Sequence, residues 1–199
     1  MTDDNTDGRR WLLTIEGAML EAIGRATVQF SHLEAELDSF IWSLVAGYDA
    51  LGGRDSPGAR RALEAQRVGQ AITARLLFRG KTEVMVALAT HRFADRAEVM
   101  SAIGTLRNAL DGAAEQRNRI VHAVWAGQGG GAETVATGTG VSVKNVLVPQ
   151  VGMRQNVALH TQEGVAGFAD TLAQLGYQMD ELRKGLLPDP SATLGEGAA

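Results

Sequence analysis

Apolar residues recur at helical spacing along most of the chain, beginning with a long series in its first quarter. Members of this series lie alternately three and four residues apart: Ile23, Ala26, Phe30, Leu33, Leu37, Phe40 and Leu44. Such alternation is typical of one long helix that buries a continuous apolar stripe. The pattern predicts a helix over about residues 10–46, which Gly47 ends.

A second helical pattern extends from about residue 58 to residue 92. Ser56 is a candidate N-cap for this stretch, and Pro57 would take its first helical position. Gly80 lies inside the pattern, where we expect a kink or a break. The apolar residues on one side of the pattern are Leu63, Val68, Ile72, Leu76, Val84 and Leu88.

Two further helical patterns occupy the second half of the chain. The stripe of the third consists of Val99, Ile103, Leu106, Leu110, Ala113, Arg117, Ile120 and Val124. Arg117 stands in this stripe at a position where an apolar side chain is expected. The fourth pattern starts after Thr161, a candidate N-cap, and ends near Gly185 and Pro188. Its stripe consists of Val165, Phe168, Leu172, Leu175, Met179 and Leu182.

The segment between the third and fourth patterns has a different character. After Trp125 the sequence AGQGGGAETVATGTG is rich in glycine, and the stretch that follows is rich in valine between turn-forming residues. We expect a glycine-rich loop and a small β-hairpin, of two or three strands, inserted over about residues 126–160. The last residues, 189–199, are expected to be disordered.

Four long amphipathic helices predict an all-α fold, most simply an antiparallel four-helix bundle, because the apolar stripe of each helix needs another stripe to cover it. Residues 1–188 would then form a single helical domain that carries the hairpin between its third and fourth helices. Many unrelated functions occur on such bundles, so function has to be inferred from particular residues.

The absence of cysteine narrows the classes of function. None of the 199 residues is cysteine, which excludes cysteine-ligated zinc, iron–sulfur clusters, thiol nucleophiles and disulfide scaffolds. The acidic, polar start MTDDNTDGRR and the lack of a long apolar run predict a cytoplasmic protein that does not enter a membrane.

Charge is distributed unevenly along a chain whose net charge is −4. Between Arg54 and Arg119 there are 12 basic and 7 acidic residues, whereas the remainder has 7 basic and 16 acidic residues. This basic middle section is a candidate footprint for an anionic ligand, with ordinary surface solvation as the alternative.

Three sequence features could suggest a cofactor or a metal, but each lacks the spacing or the structural context that such a site requires. The string GKT at residues 80–82 resembles the end of a phosphate-binding P-loop, but the required first glycine is missing and the string lies in a helical pattern. Residues 127–132 fit a loose dinucleotide fingerprint, but they follow a helix rather than a strand. The four histidines are not at metal-ligand spacing. We therefore expect no cofactor and no metal.

One group of residues at the end of the third helical pattern combines suitable chemistry with suitable positions. Asn118 and His122 are four residues apart and share a helix face, and Arg117 lies beside Asn118. The three groups suit a phosphodiester, because arginine supplies a permanent charge and histidine exchanges a proton near neutral pH. The alternative is that Arg117 and His122 only stabilise the helix C-terminus through its dipole.

The string R-N-x-x-x-H from Arg117 to His122, the run FSHLE at residues 30–34 and the closing Trp125 resemble the HEPN superfamily over roughly residues 20–125. The resemblance implies a metal-independent endoribonuclease, a toxin or defence component that acts on RNA and can have an antitoxin or another protein as partner. It also implies a homodimer in which two copies of the motif form one cleft. Arg117 would stabilise the charge of the pentacoordinate phosphate, His122 would act as general acid or base, and Asn118 would position both.

Glu34 interrupts the stripe of the first helix between Phe30 and Leu37. Because Arg117 also faces inward, a Glu34–Arg117 pair would neutralise two buried charges, whereas the alternative places Glu34 at the edge of the bundle. A tight pair would make Arg117 less available to phosphate. It would favour the rival hypothesis of a non-catalytic helical module for dimerisation or protein binding.

Overall fold

A computed structural model describes residues 17–47, 59–125, 139–148 and 152–187, with side chains except at 59–62, 124–125, 139–148 and 152–158. The elements within these ranges are α1 Gly17–Ala46, α2 Ala59–Thr73, α3 Phe78–Phe93, α4 Ala97–Val121, β1 Val124–Trp125, β2 Thr139–Val148, β3 Gly152–Thr161 and α5 Gln162–Leu186. The predicted helical class is confirmed in its main feature, since most described residues are helical. None of the described helices is both long and apolar enough to cross a bilayer.

The first predicted helix is confirmed over its described part. α1 ends at Ala46, and Gly47 follows with a φ of +85°, a conformation that favours glycine. The Gly47 amide donates to the Ser43 carbonyl at 2.9 Å and closes the last turn. The predicted helical residues 10–16 lie outside the described part of the chain.

Arg92 of α3 satisfies the carbonyl groups at this end of α1. Its Nη2 donates to the Val45 carbonyl at 3.3 Å, and its Nε donates to the Leu44 carbonyl. Gly47 gives the guanidinium the space it needs, because a Cβ at that position would lie 2.8 Å from Arg92 Nη1. A side chain from another helix therefore caps α1 together with its terminal glycine.

The second predicted helix is in fact two helices, and the break precedes Gly80 instead of occurring at it. α2 ends at Thr73, and the Leu76 amide bonds to the Thr73 carbonyl at 3.1 Å in the turn before α3. Gly80 lies in the first turn of α3, where amide groups lack helical partners, so a glycine there costs little. The predicted helix start at Ser56 and Pro57 lies outside the described residues.

The apolar side predicted for this stretch is wrong in α2, because the helix packs on α1 through small residues. A Cβ on Gly69 would lie 2.4 Å from Trp42 Cδ1, so the two backbones approach closely. Trp42 Nε1 also donates to the Oγ1 of buried Thr73 at 3.2 Å. The apolar residues of α2 that are exposed instead are Leu63, Val68 and Ile72.

The chain forms two compact units, which we name the sheet unit and the helical unit. Among the described residues, the sheet unit combines those up to Phe30 with those of Glu115–Thr171. The helical unit combines those of Ser31–Ala114 with those from Leu172 onward. The sheet unit buries Met19, Ala22, Ala26, Phe30, Ile120, Val165, Phe168 and Ala169. The helical unit buries, among others, Leu37, Phe40, Leu44, Met85, Ile103, Leu110, Leu172 and Met179. The stripes predicted on α1, α4 and α5 supply most of both cores. Most of their members are buried, whereas Ile23, Arg117 and Leu182 are half-buried. The helical position predicted for Val124 is wrong, because Val124 lies in β1.

A three-stranded antiparallel sheet connects α4 to α5 along the chain. The strand order is β1-β2-β3, and β2 pairs with β3 along their full lengths. Trp125 of β1 is in register with Gly140 of β2. The glycine-rich residues 126–138, predicted to be a loop, lie outside the described ranges.

The last helix begins and ends where the sequence predicts. The Gly164 amide donates to Thr161 Oγ1 at 3.1 Å, which confirms Thr161 as the N-cap of α5. The helix ends at Leu186, next to the predicted stop at Gly185. The tail at 189–199 lies outside the residues that the structure describes.

Candidate functional site

The predicted site residues lie on the last two turns of α4, in the sheet unit. Arg117 and Asn118 are helical, and His122 follows the last helical residue. The His122 amide still donates to the Asn118 carbonyl at 3.0 Å, so His122 keeps its position on the helix surface. Asn118 and His122 are exposed, whereas Arg117 is half-buried. The amide and imidazole side chains therefore share an accessible helix face.

Arg117 has two side-chain contacts that explain an arginine in an apolar stripe. Its guanidinium carbon lies 5.4 Å from the centre of the Phe30 ring, and its Nη1 donates to Asn118 Oδ1 at 3.0 Å. Phe30 on α1 is buried. An aromatic face supplies apolar contact and attracts a cation, so the guanidinium takes the place of an aliphatic side chain without needing a carboxylate.

The structure thus brings Arg117 and Asn118 into direct contact and joins Asn118 to His122 through the backbone. Successive helical residues are rotated by about 100°, which places Arg117 further from His122 around the helix than Asn118 is. Asn118 is the middle member of the group. Its side-chain oxygen accepts a hydrogen bond from Arg117. Its side-chain amide group lies on the exposed face that Asn118 shares with His122.

Of the two placements considered for Glu34, the pair with Arg117 is not formed, because the partner of Glu34 is Lys81 and the Glu34 side chain is 37% exposed. Lys81 Nζ lies 2.8 Å from Glu34 Oε1 and 2.9 Å from Asp38 Oδ2. Glu34 and Asp38 are four residues apart on α1, so a single ammonium group reaches both. Periodicity identified Glu34 as a carboxylate that needs a partner, but it could not select the helix that supplies one.

Lys81 is a buried charge in the helical unit. Only 8% of its side chain is exposed, compared with 37% for Glu34 and 20% for Asp38. Burial alone would lower the pKa of Lys81, but hydrogen bonds and charge from both carboxylates outweigh burial, and the pKa is raised. Lys81 shares the buried face of α3 with Met85 and Ala89. These residues are spaced four apart in the sequence, so this spacing is a signal that could have placed Lys81 on the buried face.

Sequence reasoning also missed two residues near the motif. Arg119 Nη2 donates to Glu115 Oε1 at 2.9 Å on α4. His160 on β3 is half-buried, and burial followed by the charge of Arg119 lowers its pKa. The spacing of three residues between Arg119 and His122 is a visible signal on a helix. No sequence signal places His160 near the motif, because its position depends on the pairing of the strands.

Within the described ranges, no group of three or more histidine, aspartate and glutamate side chains is arranged to hold a metal ion. Comparison of the chain with models of known protein families, with curated proteins and with solved structures gave no match.

Proposed function

We propose that this protein is a HEPN-like endoribonuclease that binds RNA at Arg117, Asn118 and His122 and cleaves it without a metal. The observation that supports the proposal is the exposed Asn118–His122 face at the end of α4, with the Arg117 guanidinium bonded to Asn118 at 3.0 Å. In this proposal the long helices form an antiparallel four-helix bundle. A role as a toxin or defence component, held in check by an antitoxin or another protein, is part of the same proposal.

Each group of the motif has a distinct task in RNA cleavage. The neighbouring 2′-oxygen attacks phosphorus, the bond to the 5′-oxygen breaks, and the products are a 2′,3′-cyclic phosphate and a 5′-hydroxyl. Arg117 stabilises the negative charge that develops on the phosphate oxygens, and Asn118 fixes the orientation of that guanidinium. His122 exchanges a proton with one of the reacting oxygens.

The proposal includes a homodimer in which two motifs face one cleft. Val121 supports this part, because 42% of this apolar residue is exposed between Asn118 and His122 in the sequence. Burial of this side chain in a dimer interface would remove its apolar surface from water. A twofold axis near Val121 would bring the two copies of His122 together.

Cleavage of a single-stranded oligoribonucleotide in EDTA tests this function. We expect the wild-type protein to cut RNA in EDTA, to leave a cyclic phosphate, and to spare DNA of the same sequence, which lacks the 2′-hydroxyl. Arg117→Ala and His122→Ala should each lower the rate by about a hundredfold or more. His91→Ala is the control, since His91 is an exposed histidine on α3. Activity that requires a metal, or that survives both site substitutions, would contradict the mechanism.

The rival function is a non-catalytic helical module for dimerisation or protein binding. It is favoured by the contacts of Arg117, whose guanidinium already has Phe30 and Asn118 as partners. In that case Arg117→Ala would reduce stability, and no RNA would be bound or cleaved by the wild-type protein. Measuring RNA binding and the melting temperature on the same samples separates the two functions.

A further inference from the structure

A second cation lies beside His122 on the surface of α4. Arg119 precedes His122 by three residues, so the two are separated by about 60° around the helix axis, compared with about 140° between Arg117 and His122. Glu115 binds one edge of the Arg119 guanidinium, and 36% of the Arg119 side chain remains exposed. On this helix surface Arg119 is therefore closer to His122 than Arg117 is.

A second histidine belongs to the same sheet unit, on β3, which β2 joins to the strand that follows this helix end. His160 of β3 is in register with Gly140 of β2, which is in register with Trp125 of β1. Trp125 follows His122 by only three residues, so strand pairing links His160 to the segment that leaves the motif. Leu159 is 69% exposed and His160 is half-buried, as expected for neighbouring residues on opposite faces of a strand.

We propose that Arg119 and His160 complete the RNA site, with Arg119 as a second contact to the scissile phosphate and His160 as the general base. This inference rests on the proposed function. His160 takes the proton of the 2′-hydroxyl while the bond from that oxygen to phosphorus forms. His122 gives its proton to the 5′-oxygen while the phosphorus–oxygen bond breaks. Exchange with water then removes the proton from His160 and restores the one on His122.

The surroundings of both residues suit these tasks. Burial and the charge of Arg119 lower the pKa of His160, which favours the neutral imidazole, the form that can accept a proton. The exposed part of the Arg119 side chain, 36% of it, gives a phosphate access to the guanidinium and would let it donate charge-assisted hydrogen bonds.

Histidine NMR tests the placement of these groups without requiring turnover. The chain has four histidines, so single His→Gln variants assign every imidazole signal. Inorganic phosphate should shift the signals of His122 and His160 in one saturable process and leave those of His32 and His91 in place. A shift of His122 alone, or similar shifts of all four, would overturn the inference. No shift of either His122 or His160 would overturn the phosphate site itself.

Matched arginine variants test the role of Arg119. Arg107 is the control, because it also lies on α4, pairs with an acidic residue four positions away and has comparable exposure. Arg119→Gln should lower kcat/KM for a single-stranded oligoribonucleotide by about a hundredfold. Arg107→Gln should leave it within about twofold, as expected for a surface substitution.

His160→Gln tests the general base. It should lower kcat by about a hundredfold and leave KM unchanged. The melting temperature should stay close to that of the wild-type protein, because partial unfolding would also lower the apparent kcat without changing KM. If the wild-type protein cleaves RNA and Arg119→Gln and His160→Gln retain full activity, the inference is overturned while the proposed function stands. If the wild-type protein neither binds nor cleaves RNA, the proposed function is overturned, and this inference with it.

Discussion

At the scale of single residues, the two charged residues that interrupt apolar stripes are held in different ways. Glu34 and Arg117 both stand where the sequence pattern calls for an apolar side chain, and the pattern correctly indicates that each needs a partner. Arg117 lies over the Phe30 ring, and Glu34 binds Lys81. The partners could not be predicted from periodicity, because it gives the face of a helix but not the residue that the fold places opposite. Each charge has a nearby group of suitable chemistry, although the Nε of Arg117 is buried without a hydrogen-bond partner among the described residues.

The Lys81 cluster predicts unequal costs for its two carboxylates. Asp38→Asn should reduce the free energy of unfolding by about 2 kcal/mol, because the more buried carboxylate of the cluster loses its pairing with a buried ammonium. Glu34→Gln should cost less than about 1 kcal/mol, since Glu34 is 37% exposed and Lys81 keeps Asp38. Urea unfolding measures both. Asp111→Asn, which alters an exposed pair on α4, is the control, and equal losses for Asp38 and Glu34 would contradict the difference in burial.

At the scale of the elements, the sequence predicts α1, α4 and α5 well and the region between α1 and α4 poorly. The three long helices carry long apolar stripes, interrupted by Glu34 in α1 and by Arg117 in α4. Two of their boundaries depend on local chemistry, at Gly47 and Thr161. α2 instead packs through Gly69, a residue that carries no hydrophobic signal. The contact depends on how closely the Trp42 side chain approaches, which only the folded arrangement of α1 and α2 determines.

Gly69→Ala tests this close approach. Alanine ordinarily favours a helix interior over glycine by about 1 kcal/mol. At Gly69 the added Cβ would lie 2.4 Å from Trp42 Cδ1, so we expect a net destabilisation of about 1–3 kcal/mol as the indole ring is displaced. Gly104→Ala on α4 meets nothing within 4 Å and should stabilise the protein by up to about 1 kcal/mol. Thermal unfolding measures both variants. If their melting temperatures shift in the same direction relative to the wild-type protein, Gly69 is not a contact residue.

At the scale of the whole molecule, the sequence predicts a helical protein and a group of residues on α4, but not the way in which the site would be completed. Arg117, Asn118 and His122 lie within six consecutive residues, so a short motif identifies them as candidates. The position of His160 depends on how the strands pair, and the association of two chains depends on the shape of their surfaces. Neither property leaves a periodic pattern in the sequence. The proposed function therefore depends on association as much as on the motif.

Two valine-to-glutamate variants test whether the chain forms the proposed dimer. One places a charge within the motif, and the other places a charge at a comparably exposed apolar residue elsewhere. Val121→Glu should convert a dimer into a monomer in light scattering at micromolar concentration, because a carboxylate beside the twofold axis would meet its own copy across the interface. RNA cleavage should fall with it, since a monomer would lack half of the cleft. Val68→Glu on α2, where the valine is 52% exposed, should leave both the mass and the activity unchanged. If the wild-type protein is monomeric at this concentration, the proposed cleft shared by two chains does not exist. Any RNA cleavage by that monomer would have to come from residues of a single chain. Arg119 and His160 would then have to act with His122 in that one protomer.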